Sequence, residues 1–364
     1  MTSNIPFTPS GLPVLIGSLP LNDHQQALDW IFAATPEIPL WPQLPGNPLE
    51  QMMPQFAEGI PCIREENLTS PEGRILFDTS GPDFEAQMLT FYEDCLAVQE
   101  QPDKLPGSRF QVSRERAEGL HLLGESLARH SSIAVKGQVT GPFTMLTGIK
   151  DRLGRAGYYD DTVREMVVKG IAQKAAWQTR FLAERGGGRQ VIVFIDEPAL
   201  AGLGSSAFIS VDAATVQALV NEVAEAIQGA GGLAGIHVCA NTEWEMLYSS
   251  RINILSFDAY NFFDKAAAQA GQVHSYLDRG GILAWGGVPT GQAEDIDKES
   301  ADSLTKLWEV QMVKLVQPGR DLSALLRQCL ITPSCGTGSL SQAHARKVLE
   351  LTKAVSAQLQ ARHL

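Results

Sequence analysis

The chain contains 364 residues, of which 44% are hydrophobic and 19% are charged, a composition typical of globular proteins and not of collagen-like or disordered chains. Its 29 basic and 41 acidic residues give a formal net charge of −12, which argues against binding to nucleic acid or to anionic membranes. No apolar run reaches the ~18 to 20 residues that a membrane helix needs, and the N-terminal segment lacks the features of a signal peptide. We therefore expect a soluble, cytoplasmic protein without membrane or nucleic-acid partners.

Eight short apolar runs, each ending in Gly, Pro, Asn or Asp, are predicted to form buried parallel strands. Amphipathic helical patterns lie between them, the clearest at 212–228, with Asp212 as its predicted N-cap and Gly229 after its end. In chain order the predicted strands span residues 13–20, 38–45, 131–142, 189–200, 233–242, 252–261, 280–290 and 328–338.

This alternation predicts an α/β protein built as a single (β/α)8 TIM barrel over residues 1–364. The stretch 46–130 has helical patterns at 84–101 and 114–129 but no convincing central strand, so it is predicted to be a helical insertion after the second strand. A typical domain length of roughly 150 residues would suggest two domains, but barrels with insertions reach this length as one domain.

The five cysteines are too few, and odd in number, for a disulfide-stabilised scaffold, so we expect free thiols. Cys62, Cys95 and Cys329 lie among apolar residues and are predicted to be buried in the core. Cys239 and Cys335 lie instead in the polar contexts HVCAN and TPSCG.

Polar side chains recur where the predicted strands end. In a barrel of this kind, functional side chains project from the C-terminal ends of the strands and from the loops that follow them. Packing alone does not explain why buried apolar strands repeatedly finish in acid-base and metal-ligand side chains. The residues concerned are Ser18, Asp196, Glu197, His237, Cys239, Asp258 and Cys335.

Four of these residues form a candidate metal site. His237 and Cys239 are two positions apart on one strand, so their side chains share a face, with Cα atoms about 7 Å apart. Imidazole and thiolate are typical zinc ligands, and catalytic zinc takes three protein ligands and leaves one position open. We predict zinc on His237, Cys239 and Cys335, with Asp258 as a further ligand or as the partner that orients the imidazole. Alternatively, Cys335 lies in a tight glycine turn and Asp258 caps a helix.

Several segments resemble one superfamily, which contains cobalamin-independent methionine synthase, zinc-dependent methyltransferases that use corrinoids, and uroporphyrinogen decarboxylase. The similarity is to the C-terminal catalytic domain of cobalamin-independent methionine synthase, and it covers most of the chain apart from residues 46–130. The matching segments are IGSLP at 16–20, VTGPFTML at 139–146, IDEPAL at 195–200, HVCAN at 237–241, LSFDAY at 255–260 and TPSCG at 332–336.

The resemblance implies a zinc-dependent thiol S-methyltransferase that converts homocysteine to methionine, with a methylcorrinoid protein or a methylfolate as the methyl donor. It places Asp258 where methionine synthase has a glutamate ligand of zinc. It also implies that Ser18 and the backbone of Ile16 hold the amino-acid end of homocysteine, and that Asp196 pairs with its amino group. Asp196 and Asp258 are thus the expected catalytic carboxylates. No counterpart of the family's other amino-acid-binding glutamate is identified.

Two departures from the family keep other functions open. The length corresponds to one barrel, so the N-terminal barrel of full-length methionine synthase is expected to be absent, and the arginine-rich N-terminal segment of uroporphyrinogen decarboxylase is missing. The alternatives are a uroporphyrinogen decarboxylase-like enzyme acting on a tetrapyrrole, or a non-catalytic zinc- or thiol-binding relative. Glu197 follows Asp196 directly and points the other way along the strand, so it is predicted to be structural.

Overall fold

The computed structural model describes residues 7–70, 73–205, 208 and 210–364. The prediction that the N-terminal segment is not a signal peptide concerns residues 1–6 in part, and these lie outside the described residues. The main sheet contains six parallel strands, each paired with the next one along the chain, and a separate antiparallel hairpin lies in the predicted insertion. The protein is thus a mixed α/β protein, as the alternating pattern predicts.

Strands and helical segments alternate from residue 134 onward. The hairpin strands are β1 (Ile63–Glu66) and β2 (Arg74–Phe77), and the main-sheet strands are β3 (Ala134–Thr140), β4 (Gln190–Asp196), β5 (Leu233–Val238), β6 (Ile254–Phe257), β7 (Ile282–Val288) and β8 (Cys329–Pro333). The α-helices are α1 (His24–Ala34), α2 (Met52–Ala57), α3 (Phe84–Glu100), α4 (Glu118–Ser126), α5 (Pro142–Gly148), α6 (Asp161–Arg185), α7 (Ala213–Gly229), α8 (Trp244–Ser249), α9 (Ala259–Ala267), α10 (Ala270–Asp278), α11 (Ala293–Lys298), α12 (Ala301–Met312), α13 (Leu322–Arg327) and α14 (Gln342–His363).

Six of the eight predicted strands are confirmed, as β3 to β8, with narrower bounds than the apolar runs. The runs at 13–20 and 38–45 do not form continuous strands; they make only isolated parallel bridges, Pro13 with Ile331, Ser18 with Gln43, and Leu40 with Lys136. In the second run the physical reason is proline at every third position, which has no N–H to donate to a sheet ladder; in the first run proline lies only at the two ends. The two runs contain Pro13, Pro20, Pro39, Pro42 and Pro45.

The helical expectations agree with the structure. The pattern at 212–228 is α7, where the Asp212 side chain accepts a hydrogen bond from the Thr215 backbone N–H at 2.9 Å, and the helix includes Gly229 instead of ending before it. In the insertion, α3 and α4 match the two helical patterns. The hairpin of β1 and β2 was not predicted, because its four-residue strands are rich in charged residues.

The inner face of the main sheet is apolar in its lower part. Two strands that lie on either side of β5 contribute Ile192 and Phe194 (β4) and Ile254 (β6), which pack with Val14 and Leu330. Helices such as α6 and α7 pack against the outer face through a larger apolar cluster. None of the described helices has the length and apolar content needed to cross a membrane.

The register of the sheet brings polar side chains to one edge. Thr140 lies level with Asp196, Asp196 with His237, and His237 with Ser256 on four successive strands. Because all these strands are parallel, their C-terminal ends meet at the same edge. The loops that follow the strands therefore surround one region, as the sequence predicts.

Candidate functional site

A cavity of about 290 Å³ opens at the C-terminal edge of the main sheet. Six of the seven residues predicted for the site line it, and Asp258 does not. The six are Ile16, Ser18, Asp196, His237, Cys239 and Cys335. Residues that lie more than 300 positions apart in the chain therefore share one cavity.

Three of these side chains form a cluster of metal-ligand atoms. One nitrogen of His237 and the sulfur atoms of Cys239 and Cys335 all lie within 4.8 Å of one another. Cys239 follows the end of β5 directly, and Cys335 lies two residues after β8, so the strand ends set both positions. The cluster could hold a metal ion.

His237 presents a neutral imidazole to this cluster. Its side chain is buried, and burial lowers its pKa to about 3, with the charge of Lys136 acting in the same direction. Nδ1 lies 3.0 Å from the Ser256 hydroxyl, whereas Nε2 is buried without a hydrogen-bond partner among the described residues. A neutral imidazole with one nitrogen held by a neighbour and the other unpartnered is the arrangement that a metal ligand has.

The two thiols of the cluster interact directly. The Cys335 thiol hydrogen-bonds to the Cys239 sulfur, which lowers the pKa of Cys239 to about 7 against the effect of burial, and the pKa of Cys335 is raised. The other three cysteines are buried in the core, as predicted, and burial raises their pKa to about 12. Among the five thiols, the pair of Cys239 and Cys335 is therefore the place where one thiolate is favoured.

Asp258 lies outside the cluster and caps a helix. Its two carboxylate oxygens accept hydrogen bonds from the backbone N–H of Asn261 at 2.9 Å and from its side-chain amide at 2.8 Å, at the start of α9. The imidazole of His237 has its hydrogen bond with Ser256 instead. The structure therefore corresponds to the alternative in which Asp258 is an N-cap.

Asp196 is a buried carboxylate that faces the cavity. It is 7% exposed, and its Oδ1 atom has no hydrogen-bond partner within the described ranges. Burial raises its pKa to about 7, while the positive charge of Lys136 opposes the shift. An unpartnered buried acceptor is costly, so this oxygen is available for a donor that the cavity would contain.

Ser18 and Ile16 are fixed by the loop after β8 and by a buried lysine. The Ser18 hydroxyl accepts a hydrogen bond from the Gly338 N–H at 3.2 Å, and a Cβ atom at Gly336 would lie 2.2 Å from this hydroxyl oxygen. Glycine is therefore needed for the close approach of the loop. The Lys136 ammonium donates to the Ile16 carbonyl at 2.5 Å. This contact fixes the backbone at the wall of the cavity.

Glu197 is structural, as predicted. Its buried carboxylate accepts hydrogen bonds from the backbone N–H groups of Phe143 and Thr144, at 2.9 and 2.8 Å, and from the Thr144 hydroxyl at 2.6 Å. Burial raises its pKa to about 7, against these hydrogen bonds. The carboxylate thus ties the end of β4 to the start of α5.

Replacing Glu197 by glutamine is expected to lower the free energy of unfolding by about 1 to 3 kcal/mol, because one buried donor loses its acceptor. Urea unfolding at pH 8 measures this loss, and Glu184→Gln, at an exposed position of α6, serves as the control with little change. Equal stability of the two variants would contradict the structural role.

One further carboxylate, that of Glu50, lies in the cavity wall and is not among the predicted site residues. Glu50 is 1% exposed and accepts hydrogen bonds from His24, Asn47 and the backbone N–H of Leu44. Glu50 lies in the segment 46–130, which the sequence predicts to be an insertion outside the barrel. Its position just after the second predicted strand was the available signal, since loops in that position carry functional groups in barrels. The cavity therefore contains two carboxylates, Asp196 and Glu50.

No known protein-family profile matches the chain, and no curated protein is significantly similar to it in sequence. The functional interpretation therefore depends on the geometry and chemistry of the cavity.

Proposed function

We propose that the protein is a zinc-dependent thiol S-methyltransferase that methylates homocysteine to methionine. The observation that carries this proposal is the cluster of His237, Cys239 and Cys335 in the wall of a cavity that also contains two buried carboxylates. The cluster suits zinc and a thiol, and the carboxylates suit an ammonium group. Homocysteine has both a thiol and an ammonium group.

We also infer that the polypeptide forms one closed (β/α)8 barrel. The segments around Pro13 and Leu40 bridge to β8 and β3, which are the two ends of the six-stranded sheet, and Ser18 bridges to Gln43 between them. These contacts are what two further strands at the closure of a barrel would make. Proline at every third position of 38–45 accounts for the interrupted ladder of that segment.

The donor set fits zinc. One imidazole nitrogen and two sulfurs match the three protein ligands of a catalytic zinc site with an open position, and the unpartnered Nε2 of His237 supports a ligand role. When bound, zinc would act as a Lewis acid that favours the thiolate form of an acceptor thiol. Ser256 would keep the imidazole oriented, and Asp258 would support the site indirectly through the start of α9.

The remaining cavity residues would hold the amino-acid end of the acceptor. An ammonium group between Asp196 and Glu50 would give the unpartnered Oδ1 of Asp196 its missing donor. Ser18 and the backbone of Ile16 lie in the same wall and would fix the orientation of the acceptor. In the reaction the acceptor sulfur bonds to the methyl carbon as the bond from methyl to donor breaks, and the thiol proton is released.

The methyl donor would be a methylcorrinoid protein or a methylfolate, which is the choice that the family resemblance implies. A tetrapyrrole decarboxylase is the second candidate. Among the described residues that line the cavity none is arginine or lysine, and two are buried acids, which disfavours a substrate with many carboxylates. The cavity volume of about 290 Å³ also lies at the small end of ligand sites.

A product assay by mass spectrometry tests the proposal. Zinc-loaded protein is given homocysteine, coenzyme M or 4-mercaptobutyrate, each with methylcobalamin or methylfolate, and we expect methionine from homocysteine as the preferred product. Failure to methylate any thiol, with zinc still bound, would leave a non-catalytic zinc-binding protein. Decarboxylation of a porphyrinogen by metal-free protein would instead support the tetrapyrrole function.

A further inference from the structure

The carboxylate of Glu50 is held by groups from two different parts of the chain. Its Oε1 atom lies 2.7 Å from Nε2 of His24 and 3.2 Å from the Asn47 amide, and its Oε2 atom accepts the Leu44 N–H at 3.1 Å. Asn47 and Leu44 belong to the same loop as Glu50. His24 is the first residue of α1, so among these donors it alone connects the carboxylate to another element.

The contact with His24 supplies a hydrogen-bond donor to a carboxylate that is buried in the wall of the cavity. The Glu50 side chain is 0% exposed, whereas that of His24 is 17% exposed. A buried carboxylate needs hydrogen-bond donors, and a donor on a separate, helical element also fixes the direction of its oxygens. A carboxylate oxygen accepts hydrogen bonds, so the His24 tautomer that fits this contact carries its proton on Nε2.

We propose that His24 is a positioning residue for the acceptor substrate, acting through Glu50. By donating to Oε1, His24 directs the carboxylate so that it can pair with the acceptor's ammonium group opposite Asp196. This inference rests on the proposed function, because it assigns to the carboxylate pair the ammonium group of homocysteine. It adds a selectivity role for a residue that does not line the cavity.

The molecule contains a matched pair for comparison. His363 lies 3.1 Å from Glu309 through the same ring nitrogen and has the same side-chain exposure of 17% as His24. This pair joins α14 to α12, and neither residue lines the cavity. A change at His363 therefore removes the same kind of contact without affecting the carboxylates of the cavity.

Steady-state kinetics with two acceptors separate a positioning role from a purely structural one. In His24→Phe, the KM for homocysteine is expected to rise about 5- to 10-fold, with kcat within about twofold of the unchanged protein. For 4-mercaptobutyrate, which lacks the amino group, the KM should stay within about twofold. His24→Gln places an amide N–H near the position of Nε2 and should restore most of the homocysteine affinity.

His363→Phe is the control and should leave the KM for both acceptors unchanged, and zinc content measured by mass spectrometry should be the same in every variant. An equal rise of KM for both acceptors in His24→Phe, or an unchanged KM for homocysteine, would overturn the inference. If the unchanged protein methylates neither thiol, the proposed function fails instead. If His24→Phe proves insoluble, His24→Gln and His24→Asn still test it, since only glutamine reproduces the donor to Glu50.

Discussion

Replacing Cys239 or Cys335 by serine is expected to abolish stoichiometric zinc binding and thiol methylation. Each cysteine supplies one of the three donor atoms that lie within 4.8 Å of one another, and a serine hydroxyl is a much poorer zinc ligand than a thiolate. We expect zinc content to fall from about one ion per chain to a small fraction, with an affinity loss of at least about 100-fold. Elemental mass spectrometry of protein purified without chelators, followed by competition with a chromogenic chelator, measures both quantities.

Cys329→Ala provides the matched control. Cys329 begins β8, the strand that also leads to Cys335, but it is 1% exposed, and burial raises the pKa of its thiol to about 12. Its replacement should lower stability modestly and leave zinc content unchanged. Full zinc content in both serine variants would show that the cluster is not the metal site, and equal loss in Cys329→Ala would indicate a general effect on folding.

The sequence predicts the fold where apolar runs are continuous. The strands β3 to β8 follow from such runs, and α7 follows from its 3.6-residue period together with the Asp212 cap. The segments at 13–20 and 38–45 are also apolar, yet they form only isolated bridges, and in 38–45 proline at every third position removes N–H groups from the ladder. The hairpin of β1 and β2 could not be predicted from periodicity, because its strands are short and carry charges.

The candidate site was predictable where its residues lie at the C-terminal end of a strand. His237, Cys239 and Cys335 were placed correctly at one edge, since parallel strands bring their C-terminal ends together. An aspartate between a strand and a helix can bind a metal ion or cap the helix, and the sequence does not distinguish the two. The hydrogen bonds to Asn261 show that Asp258 caps α9. The position of Glu50 in the cavity wall depends on the path of a proline-rich loop, and no periodic sequence pattern predicts that path.

Replacing Asp196 by asparagine is expected to weaken binding of the acceptor without releasing zinc. The Asp196 carboxylate lines the cavity, and its Oδ1 atom lacks a hydrogen-bond partner in the described part of the chain, so an ammonium group is the donor that it is expected to take. Removing one partner of a buried charge pair costs about 2 to 5 kcal/mol, which corresponds to a KM for homocysteine raised by about 30-fold or more. Kinetics with homocysteine and 4-mercaptobutyrate measure the effect.

Comparing the KM values for homocysteine and 4-mercaptobutyrate shows whether Asp196 recognises the amino group of the acceptor. If it pairs with the ammonium group, the asparagine variant loses affinity for homocysteine but keeps its affinity for 4-mercaptobutyrate, so the preference between the two thiols narrows. Asp264→Asn, an exposed position of α9, should change neither value. Loss of zinc in the Asp196 variant would instead place this carboxylate among the metal ligands, next to His237 in the register of β4 and β5. Equal weakening of both acceptors would mean that Asp196 maintains the shape of the cavity without recognising the amino group.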